Sequence, residues 1–194
     1  MTRTEKTVPL CRRRHRFSSG SLSPEKPSQR ACFTEEKPMA SAEDHMRRCI
    51  ELARMAQQNG DTPVGSLIVR AGQVIAEGIE SVKTRMDVSA HAEIEAIRKA
   101  CSTLKSLDLR GCVLYTTAES CWMCSYAIRQ TNIGTVVMGA SVPSVGGVTS
   151  RHPILADPAA SLNSKPPRVV ASSLRAQCES LRQKRKPSEA RRDR

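Results

Sequence analysis

Aromatic side chains make up only 3% of this 194-residue chain. A core must therefore be assembled from Val, Ile, Leu, Met and Ala. No apolar run approaches the about 20 residues of a membrane-spanning helix, so no membrane partner is expected. No positively charged start leads into an apolar segment, so no secretory signal is expected either. An organellar transit peptide is opposed by the four glutamates among residues 1–37. Eight cysteines are present, yet they do not form a secreted disulfide framework. Cys11, Cys32, Cys49, Cys112 and Cys178 fall in apolar patterns or in tails, and a reducing cytoplasm is the expected setting.

Positive charge is plentiful, with a formal net charge of +12. Its location weakens a nucleic-acid reading. Residues 1–37 hold nine Lys/Arg against four Asp/Glu, and residues 182–194 hold seven against two, so the rest of the chain is nearly neutral. Solvated tails account for the basic ends as well as an RNA footprint would. Residues 1–40 and 184–194 are accordingly expected to be basic, disordered tails around one domain at 41–183. Met39 reads like a natural start, which would make the upstream residues an extension.

Order begins at Ser41, where "SAED" has the form of a helix cap with an acid three positions on. Met46, Cys49, Ile50 and Ala53 follow at helical spacing, and "NGDTP" ends the helix. "VGSLIVR" and "QVIAEGI", separated by "AG", predict a β-hairpin. A polar loop leads to a second helix from about Ala90 to Leu104, with an apolar stripe of Ile94, Ile97, Cys101 and Leu104. "GCVLYTT" predicts a buried strand, followed by a helix from Cys121 to about Asn132 and a strand at "GTVVMGA". A long Gly/Pro-punctuated loop, a fifth strand at "PPRVVAS" and a helix over 173–183 complete the chain. A hairpin followed by strand–helix alternation predicts a mixed sheet of about five strands covered by helices, an α/β architecture with parallel pairing after the hairpin.

The chemistry centres on "ESCWMCSY". A Cys-x-x-Cys pair at a helix start after a strand fits a redox pair, half of a structural zinc site, or two ligands of a catalytic metal. A four-ligand structural site needs partners from Cys101, Cys112, His91 or His152. The two cysteines read as small buried hydrophobes. His91 differs, because "SAHAEIEAI" places it with Glu93 at the start of the second helix. Positions two apart on an ideal helix point about 200° from each other. They converge only on a point beyond the helix tip, where open α/β sheets tend to hold ligands. Cys121 and Cys124 would occupy the tip of the next helix. One imidazole and two thiolates leave a tetrahedral zinc with an open fourth position, the pattern of a catalytic site. Helix N-termini favour the thiolate forms.

His91-Ala92-Glu93 followed by Cys121-x-x-Cys124 resembles the zinc-dependent cytidine/deoxycytidylate deaminase superfamily, whose signature is His-x-Glu and Pro-Cys-x-x-Cys. "TPVGSLIVRAGQVIAEG", "AHAEIEAIRKAC" and "CVLYTTAESCWMC" are similar to its purine-acting branch, the guanine deaminases and tRNA adenosine deaminases. The resemblance spans about residues 41–183. It implies a three-layer α/β/α fold, one zinc held by His91, Cys121 and Cys124, and Glu93 as proton shuttle for a hydroxide supplied at the metal. It also implies substrate contacts at Ala92 and Val64, and a homodimer. Two positions depart from the pattern. Ser120 stands where relatives have Pro, and Glu80 aligns with a substrate-binding Asn. A carboxylate accepts hydrogen bonds but cannot donate as an amide does. The expected function is removal of an exocyclic amine from a purine base or nucleoside, guanine favoured. The alternatives are adenosine deamination in tRNA, suggested by the basic tails, and an inactive zinc-stabilised binding module, suggested by Ser120 and Glu80.

Overall fold

The computed structural model describes residues 40–160 and 164–183. Of the disordered tails expected at 1–40 and 184–194, residues 1–39 and 184–194, including Cys11 and Cys32, lie outside the described residues.

Ser41 caps helix α1 (Ala42–Gln58). Its hydroxyl accepts from the Asp44 N–H while Asp44 accepts from the Ser41 N–H, the reciprocal box that "SAED" announces. Strands β1 (Gly65–Arg70) and β2 (Gln73–Ile79) form the hairpin. Both residues of its Ala71-Gly72 turn have positive φ, 49° and 77°, the backbone that a two-residue hairpin turn demands. A one-turn helix α2 (Val82–Arg85) interrupts the segment expected as loop. Asp61 creates it by accepting from the Lys83 N–H and the Thr84 hydroxyl, both at 2.7 Å. That long-range cap is invisible to periodicity. Helix α3 (Ala92–Leu104), strand β3 (Cys112–Ala118), helix α4 (Trp122–Gln130), strand β4 (Thr135–Ala140), strand β5 (Arg168–Ala171) and helix α5 (Arg175–Gln183) follow. Helices α3, α4 and α5 each begin one or two residues later than the sequence predicts, in α3 and α4 because His91 and Cys121 are extended cap residues.

The sheet order is β2-β1-β3-β4-β5. β1 is antiparallel to β2 and β3, and β3, β4 and β5 run parallel, as the strand–helix alternation requires. Alternate residues serve two cores. Leu67, Val69, Tyr115 and Val137 pack with Met46, Ile50 and Cys178 beneath α1 and α5. Ile68, Leu114 and Val136 pack with Ala96, Ile97 and Ile128 beneath α3 and α4. Cys112 joins this second core and Cys101 packs against it, both as small hydrophobes. No described helix is long and apolar enough to cross a membrane.

The buried face of α3 differs from the expected stripe. Ala92, Glu93, Ala96, Ile97 and Ala100 are buried, whereas Ile94, Cys101 and Leu104 are only partly so. Small residues win that face because they let α3 lie directly on β2. At Gly78 a Cβ would fall 1.9 Å from the Ala92 carbonyl oxygen. Gly78→Ala is therefore expected to lower stability by about 1–3 kcal/mol in urea unfolding, since backbone rather than a flexible side chain would have to move.

Candidate active site

The hairpin and the parallel strands bring five chain ends to one edge of the sheet. Val64 precedes β1, Glu80 follows β2, and Ala118 ends β3. The Glu80 N–H donates to the Val64 carbonyl at 3.2 Å, and the Gly65 N–H to the Thr117 hydroxyl at 3.2 Å. The N-termini of α3 and α4 arrive at the same edge. His91 caps α3 with φ −71° and ψ 148°, and Cys121 caps α4 with φ −66° and ψ 174°. Both side chains thus leave the helical spiral at its tip, which resolves the angular problem of His91 and Glu93. His91 Nδ1 lies 3.8 Å from Cys121 Sγ, and the ligand atoms of His91, Cys121 and Cys124 are all within 4.8 Å of one another. For Zn–N near 2.0 Å and Zn–S near 2.3 Å, tetrahedral bonding separates N from S by about 3.5 Å. The three side chains fit a zinc ion with a fourth position left over. No other such group of Cys, His, Asp or Glu occurs among the described residues. His152 is remote from it, exposed and edge-on to Trp122.

The electrostatics of the cluster favour a cation. Cys121 is drawn down to about 4, first by its hydrogen bond with Cys124 and then, against burial, by His91. The same bond, together with burial, pushes Cys124 up. The hydrogen bond with Cys121 raises His91 to about 9. Glu93 is buried in the first turn of α3, and the Thr116 hydroxyl donates to it at 3.3 Å. Burial pushes its carboxyl above the usual range. Beside the cluster opens a cavity of about 710 Å³, lined by Val64, Glu80, His91, Ala118 and Cys121 together with Val82, Val142 and Val145. Its lining is mainly apolar, with the charged side chains of Lys83, Asp87, Glu119 and Arg182 among the valines, a mixture that suits a heterocycle bearing polar groups. Burial raises Glu80 to about 7, against the pull of His91.

Of the residues expected at the site, Val64, Glu80, His91 and Cys121 line the cavity, whereas Glu93 and Cys124 are buried and do not. Ala92 is fully buried and does not line the cavity, because its amide donates to Glu80 Oε2 at 3.0 Å. Trp122 and Met123 also turn away: the Trp122 indole donates to the Ser150 hydroxyl at 3.0 Å, and Met123 is exposed.

Sequence reasoning missed Glu119. Its carboxylate accepts from the N–H groups of Val142, Val148 and Thr149 and from the Thr149 hydroxyl, at 2.6–2.8 Å. Gly146 leaves it room, since a Cβ there would come within 2.2 Å of the carboxylate. Gly147 donates to the Ser120 carbonyl at 2.9 Å, and Gly146 bridges Cys121. The loop after β4, which supplies Val142 and Val145 to the cavity wall, is thereby fastened to the segment carrying Cys121. The only available signal was an acid two residues before a ligand, and nothing in the linear pattern tied it to a loop beyond residue 140.

A zinc-dependent hydrolase with its ligands on two helix tips of an α/β/α sandwich is the class that this fold and site define. Residues 39–140 match the model of the cytidine and deoxycytidylate deaminase zinc-binding region. The chain belongs to that family: it is a hydrolytic C–N deaminase of the purine-acting branch, with zinc as its cofactor. It is 42% identical over 106 residues to the tRNA-specific adenosine deaminase of Aquifex aeolicus, covering 55% of this chain and 70% of the relative. It is 45% identical over 87 residues to the guanine deaminase of Bacillus subtilis, covering 44% of this chain and 56% of that enzyme. A solved structure from work on A-to-I editing by tRNA deaminases at the wobble position superposes with a TM-score of 0.66 at 32% identity, covering 71% of this chain and 97% of that one.

The Glu119 clamp has a measurable consequence. Burial opposes its ionisation, but the Thr149 hydroxyl and the three backbone N–H groups outweigh burial and hold its carboxyl below the usual range. Its contribution to stability is therefore present above the ordinary carboxylate pKa and lost as pH falls through the lowered one. Glu119→Gln would set an amide N–H against the Val142 N–H. It is expected to cost about 1–3 kcal/mol and to flatten the acid limb of a stability-versus-pH curve, read by thermal unfolding between neutral pH and pH 3.

Proposed function

We propose that this chain removes the exocyclic amine of a purine by hydrolysis, with His91, Cys121 and Cys124 as the zinc ligands and Glu93 as the proton shuttle. The carrying observation is the cluster of one imidazole and two thiols, of which His91 and Cys121 line a cavity sized for a heterocycle, with the carboxyl of Glu93 buried two residues beyond His91. Zinc, when bound, lowers the pKa of water toward neutrality and so makes a nucleophile available at pH 7. Glu93 takes the proton of the attacking water and delivers it to a ring nitrogen and then to the departing amine. A C–O bond forms, the C–N bond breaks, and ammonia leaves behind a carbonyl. A carboxyl held above its usual range by burial suits both halves of that task. Val64 and the valines beyond it supply the apolar faces between which the ring lies, and Glu80 meets its edge.

Two substrates divide the reading. Adenosine in tRNA is favoured by the comparisons, since the tRNA adenosine deaminases are several and share more of their length with this chain. Guanine is the second reading, supported by the Bacillus subtilis relative and by the carboxylate of Glu80 in the cavity. Ammonia release from adenosine, guanosine, guanine and a tRNA anticodon stem-loop separates them.

Glu93→Ala is expected to retain about one zinc per chain by metal analysis while losing at least about 100-fold in turnover. Turnover at the parent rate would remove Glu93 from the mechanism. Deletion of residues 184–194 tests the tRNA reading. For a tRNA substrate, affinity falls and the slope of log K against log salt becomes shallower, whereas activity on a free base does not change.

A further inference from the structure

Glu80 reverses the polarity of the cavity floor. Ala92 is the first residue of α3, and the amide of a first helical residue has no partner inside its own helix. Left alone it would be a hydrogen-bond donor beside His91. Glu80 covers it: Oε2 accepts that N–H at 3.0 Å, which leaves Oε1 as the carboxylate's other acceptor. The carboxylate is 6% exposed and lines the cavity next to Val64 and His91. Glu80 and His91 belong to the deeper part of the lining, whereas Met86 and Val88 at its mouth are 91% and 81% exposed. A donor on the protein has thus been exchanged for an acceptor.

Resting on the purine-deaminase reading, we infer that Glu80 is a specificity-determining residue that selects a heterocycle presenting a ring N–H, and that it disfavours one whose ring nitrogens are all acceptors. A 9-substituted guanine carries such an N–H at N1, adjacent to the amine-bearing C2, and leaves N3 on the other side of C2 for Glu93 to protonate. A 9-substituted adenine offers only lone pairs at N1, N3 and N7. With the C6 amine turned to the reacting position, those lone pairs face Glu80 and leave a buried acceptor without a partner, the situation in which sites discriminate most strongly.

The test uses the zinc-loaded full chain with Glu93→Gln to stop turnover, and compares equilibrium binding of 9-methylguanine and 9-methyladenine. With Glu80 present, 9-methylguanine is expected to bind at least about tenfold more tightly. Glu80→Gln keeps an oxygen for the Ala92 N–H and turns an N–H toward the ring, so the preference should shrink by about tenfold or reverse. Glu80→Ala frees the Ala92 amide and should shift the preference the same way, while zinc content and melting temperature show that both variants fold. A preference for 9-methyladenine with Glu80 intact, a ratio that neither substitution moves, or no binding of either base overturns it. Glu80-dependent selection without ammonia release by the Glu93-intact chain would leave the inference standing and bring down the deaminase reading instead.

Discussion

Two helix N-termini meeting at one edge of a mixed sheet is the constraint on which the molecule is organised. A helix tip is electropositive and holds unpaired N–H groups, so it is a poor place to bury and a good place to gather anions. Here α3 and α4 bring their tips together and fill the gap with an imidazole, two thiols and carboxylates. The parallel order β3-β4-β5 and the antiparallel placement of β1 beside β3 make that meeting unavoidable. In such an order the starts of both helices, the start of β1 and the ends of β2 and β3 all fall on the same side. Everything chemical in the chain lies within reach of that edge, and the two apolar cores on either face of the sheet keep it in place.

Buried carboxylates then divide the labour around the edge. Each has its own partners, so the same functional group acquires different properties. Asp61 shapes the short helix beside the cavity. Glu119 is surrounded by donors and ties the loop after β4 to the segment bearing Cys121. Glu93 has one hydroxyl contact and deep burial, which favours carrying a proton. Glu80 is half satisfied, with one oxygen on a helix amide and the other toward the cavity. Four acids at one end of a domain would be a liability if unpaired. A divalent ion and helix-end N–H groups are what make the concentration tolerable.

The resemblance to relatives and the particular geometry of this chain speak to different levels of function. The deaminase scaffold, its metal and its reaction type follow from residues shared with the family. The choice of ring is inferred to rest on residues lining the cavity, and there this chain carries the carboxylate of Glu80. Overall similarity is dominated by the scaffold and weighs such a position no more than any other.

The ligand set, the hairpin, the capping box at Ser41 and the strand order after β3 were legible in the sequence. Each is a local pattern whose physics acts over a few residues: alternation, helical period, a cap, a Cys-x-x-Cys spacing. The three-way meeting of His91, Cys121 and Cys124 was legible as well, since strand–helix alternation fixes on which side helices begin. What only the tertiary structure decided were the contacts between segments far apart in the chain. Asp61 folds Thr84 into a helix 23 residues away, and Glu119 gathers a loop 23 to 30 residues on. The alanine face of α3 displaces Ile94, Cys101 and Leu104 from the expected stripe, while Ile97 stays buried, because Gly78 lets backbone approach backbone, and Glu80 takes the Ala92 amide across 12 residues. Hydrogen bonds and close packing depend on distances in space to within a fraction of an ångström. A linear pattern carries the chemical identity of the partners but not their separation.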